Sequence, residues 1–446
     1  MKRVQGMTTN RRLNDHYFDH DGSEPLDQYS QSGIPIRNYV ESALSEQQRE
    51  NLFAWNGISR VTSNNVRVKN YYRVFVCQLD CIDLFRKGRR TGNEPWVAHQ
   101  KSKKRTKWIR ISTDTPYREI KKVKRLAIRA LYILGFDMGV VDIVTTSAAP
   151  KQRLVRISPL TPIDENMVTK IKSKVKKVLD DANESKNAVL GADIEFVLKH
   201  AKGKYVLASR YFSRHGKVGH DAIWLRGNRN KYPIGELRPS PSENPKNLFK
   251  HVNQCLRIAV KKINNSNIEI LAGGRPISTY PIGGHIHFSQ VNLHSHFIRA
   301  LDNYLTLPLF LLESDVSMNR RPKYGFIGDY REQFHGGFEY RTPPSFISNP
   351  TITKGVLCLA KVISNDYPKL LHMPLNQYQT QKAFYEGRKE LIYPTVHYLW
   401  QEIKNCPSYN KYKNELDAFY SLIQERYSWN EYADIRKAWR LPPYQY

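Results

Sequence analysis

Two rhythms of apolar and polar positions alternate along the chain from Asn70 onward. YYRVFVCQLDCIDLFRKG has a period of two on either side of a turn and predicts strand, turn, strand, and KWIRIS predicts another strand. REIKKVKRLAIRALYILG shifts to a helical period. It places Ile120, Val123, Leu126, Ala127, Ala130 and Leu131 on one face and ends on Gly135, a natural C-cap. VVDIVTT and RLVRIS return to strand, residues 164–181 predict an amphipathic helix, and DANESKN a linker. Beyond Val189, polar pairs sit inside apolar strands. Two helices lie between those strands: PSENPKNLFKHVNQCLRIAVKKI, with Ser242 as its N-cap, and SHFIRALDNYLTLPLFLLESD, apolar enough to be a core helix. Met318 and the leucine run read as packing. After about Leu371 the chain turns helical and aromatic.

These patterns divide the chain into four expected parts. Residues 1–60 form a polar, partly ordered lead-in, 61–183 a basic α+β domain, 184–373 a domain built on the strands with polar pairs and 374–446 a helical extension packed on it. At 446 residues there is ample length for a large core. No apolar run is long enough to span a membrane, and the N-terminus lacks a signal peptide's apolar stretch, so a cytoplasmic protein is expected. The five cysteines are too scattered for a disulfide framework, and Cys77 and Cys81 lack the second pair a zinc site needs. Buried, reduced thiols are the expectation.

Charge adds a second theme. The net charge is +29, and the span Arg60–Arg129 holds 20 Lys/Arg against 5 Asp/Glu. Such a surface suits nucleic acid, another polyanion or anionic substrates, and is equally a solvated basic face. No motif of a nucleic-acid-binding module accompanies it.

The candidate chemistry lies in four strands. Because residues i and i+2 share a strand face, ADIEF pairs Asp193 with Glu195, GELRP pairs Glu236 with Arg238, GGHIHF pairs His285 with His287, and GGFEYRT pairs Glu339 with Arg341. One such pair is also what an ordinary solvated strand shows. Four together, drawn only from Asp, Glu, His and Arg, three of them preceded by glycine, point to a common site if the strands share a sheet. Carboxylates and imidazoles suit Mg²⁺ or Mn²⁺, and guanidiniums suit phosphate oxygens or carboxylates. That is the inventory for metal-assisted phosphoryl transfer. Nearby polar residues, His220 and Asp221 at a hairpin and Arg321, Asp329, Arg331 and His335 in a glycine-punctuated loop, would surround it. No nucleophile motif of the Gly-x-Ser-x-Gly kind is present.

GADIEFVL, GHDAIW, IGELRPSPSENP, GGHIHFS, YGFIGDYR and GGFEYRTPPSF, in this order over about residues 188–365, resemble the phage-associated carboxylate–amine ligase type-2 family. That family belongs to the glutamine-synthetase-like amidoligases. The resemblance implies an α+β fold, with a glutamine-synthetase-like curved antiparallel sheet backed by helices. It also implies ATP-dependent joining of a carboxylate to an amine through an acyl phosphate. By the same resemblance Asp193, Glu195, Glu236, His285 and Glu339 would hold Mg²⁺ or Mn²⁺, with Asp193 standing where a second Glu is commoner. His287 would help hold nucleotide or substrate, Arg341 would stabilise the transferring phosphoryl group, and Arg238 and Arg331 would bind phosphate or substrate carboxylate. Cell-wall peptides, amino acids, polyamines and protein side chains all stay open as substrates. Residues of about 70–165 look like the C-terminal half of an ATP-grasp domain. Arg156, Ile157 and Ser158 stand there in place of its metal-binding Glu-x-Asn, leaving Asp142 as the sole surviving ligand, so a degenerate remnant is expected. A reading from another class remains: a polyanion-binding protein using Lys103, Lys104 and Arg105, with an inactive ligase-like domain.

Overall fold

A computed structural model of the chain describes residues 34–40, 44–61, 67–89, 106–183, 187–221, 232–279, 281–334 and 336–444. Lys103, Lys104, Arg105 and His335, like residues 1–33 of the lead-in, lie outside the described residues.

The first sheet forms from five antiparallel strands, β1 (Val68–Cys77), β2 (Asp80–Arg89), β3 (Thr106–Arg110), β4 (Met138–Thr146) and β5 (Gln152–Ser158), in the order β3-β2-β1-β4-β5. Both faces of its centre are apolar, and each is covered by one helix. Tyr72, Val74 and Val76 of β1 meet the Val123, Ala127 and Leu131 stripe of α2 (Arg118–Tyr132). Their alternates Phe75 and Cys77 meet Met167, Ile171 and Val175 of α3 (Glu165–Asn183). The last helical turn of α3 runs into the expected linker. A short helix, α1 (Glu46–Trp55), starts with a capping box between Ser45 and Gln48 and buries Leu52 and Phe53. Part of the polar lead-in is therefore packed structure, and Ile34, Tyr39 and Ile58 join the same core.

The second sheet is also antiparallel. Its path is β12 (Tyr330–Glu332), β13 (Phe338–Tyr340), β11 (Gly284–Ser289), β6 (Val189–His200), β9 (Ile234–Leu237) and β8 (Val218–Asp221). Two short strands, β7 (Tyr205–Val206) and β10 (Ile268–Leu271), also pair with β6. The four polar-pair strands therefore do share one sheet. Their alternate residues Ile194, Phe196, Ile286, Phe288, Phe338 and Tyr340 are 0–1% exposed. Phe288 stacks on Phe338 at 5.2 Å and meets Phe297 edge-on at 5.4 Å, and such pairs add about 0.5–1.5 kcal/mol beyond their area.

Helices back this face. α4 (Pro245–Ile263) begins with Pro245 at N1, and its cap is Asn244, whose side chain accepts from Lys246 N. Ser242, the expected cap, lies two residues earlier and instead accepts from Asn244 N. The expected single core helix is three segments: α5 (Ser295–Leu301), a π turn at Asp302–Thr306 and α6 (Leu307–Leu312), every residue of them buried. α7 (Pro350–Asp366), α8 (Tyr378–Glu386), α9 (Lys389–Lys404) and α10 (Lys413–Gln424) complete the layer. One buried apolar cluster runs through both sheets from Ile34 to Leu441. All five cysteines are buried and unpaired with one another. Among the described residues no helix is long and apolar enough to cross a membrane.

Candidate active site

Because β6, β11 and β13 turn one face to the core, the alternation that sends Ile194, Ile286 and Tyr340 inward sends Asp193, Glu195, His285, His287 and Glu339 to the other side. The register then aligns them. Glu195 lies opposite Glu236, His285 opposite Asp193, and His287 opposite Gly191 on one side and Glu339 on the other. Arg331 lies opposite Glu339 on β12. It is therefore a strand residue, where the sequence suggested a loop. A Cβ on Gly191 would sit 3.3 Å from the His287 Cβ, so this glycine leaves room for the imidazole.

The side chains form two groups. In the first, one carboxylate oxygen from each of Glu195, Asp221 and Glu236 lies within 4.8 Å of the others. Gly283 N donates to Glu195 Oε2 at 2.6 Å, which fixes that carboxylate. Burial pushes the Glu195 carboxyl up. Burial, with Asp193, Glu195 and Asp221 nearby, pushes Glu236 up to about 7 against the pull of Arg238. Arg238 pairs with Glu236 and donates to the Arg214 carbonyl at 2.8 Å. It passes over Gly219, where a Cβ would lie 2.3 Å from its Nη1.

The second group surrounds Glu339, whose side chain is fully buried. Arg331 reaches Oε2 with Nε at 2.7 Å and Nη2 at 2.5 Å, and Gln333 donates to the same oxygen at 2.9 Å. His285 Nδ1 is 3.0 Å and Arg341 Nε 3.3 Å from Oε1. Burial alone would raise the Glu339 carboxyl, but His285, Arg341 and Arg331 outweigh it and hold the group at about 2. Between the groups, His287 Nε2 lies 3.0 Å from Asp193 Oδ2. Burial would lower this imidazole, yet Asp193 and Glu339 together raise it. The Oε1 of Glu339 and the Nε2 of His287 are buried at ion-pair distance from these partners but outside hydrogen-bond alignment.

Three carboxylates this close repel one another, Arg238 offsets this directly only at Glu236, and hard oxygen donors suit Mg²⁺ or Mn²⁺. The unaligned Glu339 Oε1 leaves a further lone pair for coordination. The donor set therefore fits divalent cations.

The described residues of the expected site lie on this one sheet face or its margin, with three differences. Asp221, read from sequence only as a hairpin residue, is the third member of the carboxylate group, and Asp193 faces His287 outside that group. Arg321 is not at the site: it is 2% exposed, pairs with Glu313 at 2.7 Å and lies over the Phe384 ring at 4.4 Å. Its neighbour Arg320 turns the opposite way, donates to Thr342 O at 3.0 Å, and is pushed down to about 10 by burial. Nothing in the Arg-Arg pair distinguishes the two by sequence. Gly283 and Gly284 also have a reason inside the protein, since a Cβ on Gly283 would meet His285 Nε2 at 2.6 Å and one on Gly284 Phe346 at 2.5 Å. Asp142, the expected survivor of an ATP-grasp metal set, is held by Arg73 at 2.9 and 3.0 Å.

No curated protein matches the sequence. Among solved structures, the chain is similar to a bifunctional glutathione synthetase from Pasteurella multocida (10% identity, 57% of this chain and 52% of that one, TM-score 0.35). It is also similar to GmaS without ligand (10%, 72% and 89%, 0.32) and to Plasmodium falciparum glutamine synthetase (10%, 72% and 76%, 0.26). The chain spans about half the length of that glutathione synthetase, and likenesses this distant carry no argument about substrate or mechanism. The family profile is more direct, matching residues 190–441 and so enclosing both groups of the site and the helices behind them. This protein belongs to the phage phiEco32-like COOH.NH2 ligase-type 2 family.

Proposed function

We propose that the chain is an ATP- and Mg²⁺-dependent carboxylate–amine ligase with a glutamine-synthetase-like catalytic sheet, which activates a carboxylate as an acyl phosphate. The observation that carries this reading is the convergence of Glu195, Asp221 and Glu236 beside a buried Glu339 ringed by Arg331, Arg341 and His285. Glu195, Asp221 and Glu236 would hold one divalent cation, and Asp193, His285 and Glu339 a second. When bound, the cations supply charge neutralisation for the phosphates. Arg238, Arg331 and Arg341 keep NH donors beyond those spent on Glu236 and Glu339, and these suit phosphate or carboxylate oxygens. Arg341 would meet the phosphoryl group in transfer, and His287, oriented by Asp193, would contact the nucleotide. The amine nitrogen then attacks the acyl carbon, phosphate leaves, and the nitrogen gives up a proton. No side-chain nucleophile is required. Cell-wall peptides and amino acids are the proposed substrate classes, and residues 61–183, a degenerate ATP-grasp-like unit, a proposed docking element.

The test is ATP turnover by the purified chain with Mg²⁺ across pairs of carboxylates and amines, with mass spectrometry of the products. Phosphate release that needs both partners, lost in Glu339→Ala with the fold intact, is expected. Turnover unchanged by Glu339→Ala would sink the reading.

A second reading has its own observation. On the first sheet Arg73 lies over Trp108 at 4.8 Å, Lys87 over Tyr71 at 5.7 Å and Arg110 over Phe85 at 5.3 Å, an interleaving of cations and aromatic rings that suits a polyanion. Salt-sensitive binding of a single-stranded oligonucleotide, lost in Trp108→Ala, is its test. Binding indifferent to salt or to that substitution would rule it out.

A further inference from the structure

A cavity of about 660 Å³ opens between the Leu371–Gln377 segment and α9, within the range of small-molecule sites, and none of the residues of the ligase site lines it. Its polar lining is Arg37, His372, Asn376, Gln377, Thr395 and Tyr398, over an apolar base that includes Met373 and Leu399. No acidic residue lines it among the described ones.

The polar groups are held in place from behind. Arg37 has its backbone fixed at both ends: its N donates to Asp137 Oδ2 at 2.8 Å, and its carbonyl accepts from Asp137 N at 2.8 Å and Met138 N at 3.1 Å. Among the described residues its guanidinium makes no close hydrogen bond or ion pair, and the charges acting on it from further off are Arg299 and Asp137. His372 Nδ1 bonds to Glu402, whose other oxygen takes the Tyr304 hydroxyl, while its Nε2 lies 3.3 Å from the Tyr398 hydroxyl. A guanidinium carried on a fixed backbone, an oriented imidazole, amides and an apolar base suit an anion on an apolar body.

The same wall is tied to the ligase sheet through consecutive residues of the π turn. Asn303 donates to Met373 Sδ and accepts from Leu375 N at 2.8 Å, and the Tyr304 hydroxyl accepts from His372 N at 3.1 Å. Asp302 and Thr306 of the same turn bond the Tyr340 hydroxyl on β13, at 2.5 and 2.7 Å. A π turn inside an α-helix frequently marks a functional site.

We propose that this cavity is a second ligand site, for a small organic anion with an apolar body, and that its occupancy stiffens β13 through the Asp302–Thr306 turn. The site needs no ligase activity to be real, so its test is independent of that reading. The full chain is titrated by calorimetry with 4-phenylbutyrate and with 4-phenylbutylamine, which carry opposite charges on the same apolar body. Saturable binding of the acid, at least tenfold tighter than of the amine, is expected. The affinity should fall at least tenfold in Arg37→Ala and in Thr395→Trp, which fills the cavity from α9. Because Arg37 supports the fold through its backbone, Arg37→Ala decides the matter even if Thr395→Trp fails to fold. With the acid bound, hydrogen exchange at the amides of 338–340 should slow in the wild type and not in Arg37→Ala. Absence of saturable binding, equal affinity for the two probes, or undiminished affinity in Arg37→Ala overturns the site. Binding with unchanged exchange at 338–340 overturns its connection to β13.

Discussion

The Tyr340 hydroxyl donates to Asp302 Oδ1 at 2.5 Å on the buried side of β13, while Glu339, next to it in the strand, turns to the opposite face and meets Arg331. The other oxygen of the same Asp302 takes the Tyr132 hydroxyl of α2 at 2.7 Å. One buried carboxylate, 1% exposed, thus ties the helix of the first sheet to the strand that carries the most enclosed carboxylate of the site.

Tyr340→Phe removes a bond to a carboxylate and leaves Asp302 and the Thr306 hydroxyl short of a partner. The expected cost is about 1.5–3 kcal/mol, read as a lower unfolding midpoint. If Tyr340 positions Glu339 and Arg341, the variant also loses ligase turnover per folded molecule. An unchanged midpoint would contradict the bridging role.

Burial pushes Asp302 up to about 7, against the opposing bonds of Tyr340 and Tyr132. A raised folded-state value means that the protonated carboxyl favours the folded chain. Its contribution is full below the ordinary value of 3.8 and is lost as the pH rises through about 7. By linkage that span is worth at most roughly 4 kcal/mol. Denaturant titrations at several values from pH 4 to 8 should therefore show wild type losing stability relative to Asp302→Asn as the pH rises. A constant difference between the two proteins would refute the assignment.

If Asp221 completes the carboxylate group, Asp221→Asn and Glu195→Gln should each weaken Mn²⁺ binding by roughly tenfold or more, with the unfolding midpoint little changed. Calorimetry with Mn²⁺ alone reads this without any substrate. Affinity equal to wild type in Asp221→Asn would place the residue outside the metal set.

Arg321 and Arg331 should separate cleanly. Arg321→Ala removes the ion-pair partner of Glu313, which is 0% exposed, and should cost about 3–5 kcal/mol of stability. Arg331→Ala leaves the buried Glu339 with His285, Arg341 and Gln333 as partners, so it should cost less stability than Arg321→Ala and lower turnover instead. Melting curves set beside turnover per folded molecule distinguish the two.

The sequence by itself determined what depends on neighbours a few residues apart. Period-two alternation in ADIEF, HIHF and FEYR separates Asp193, His285 and Glu339 from the apolar residues beside them, because a half-buried strand imposes that spacing wherever it sits. The 3.6 period of α2 likewise named its buried face. Tertiary structure decided what depends on partners far along the chain. Asp221 joins Glu195 and Glu236 only because β8, β9 and β6 lie side by side in register. Arg320 and Arg321, adjacent and chemically alike, part because Thr342 lies on one side and Glu313 with Phe384 on the other. The helix from Ser295 to Leu312 loses its regular bonding at Asp302–Thr306, where Asp302 and Thr306 reach Tyr340 and Tyr304 reaches Glu402. Alternation reveals which side of a strand a residue faces, but only strand pairing brings residues about a hundred positions apart into one site.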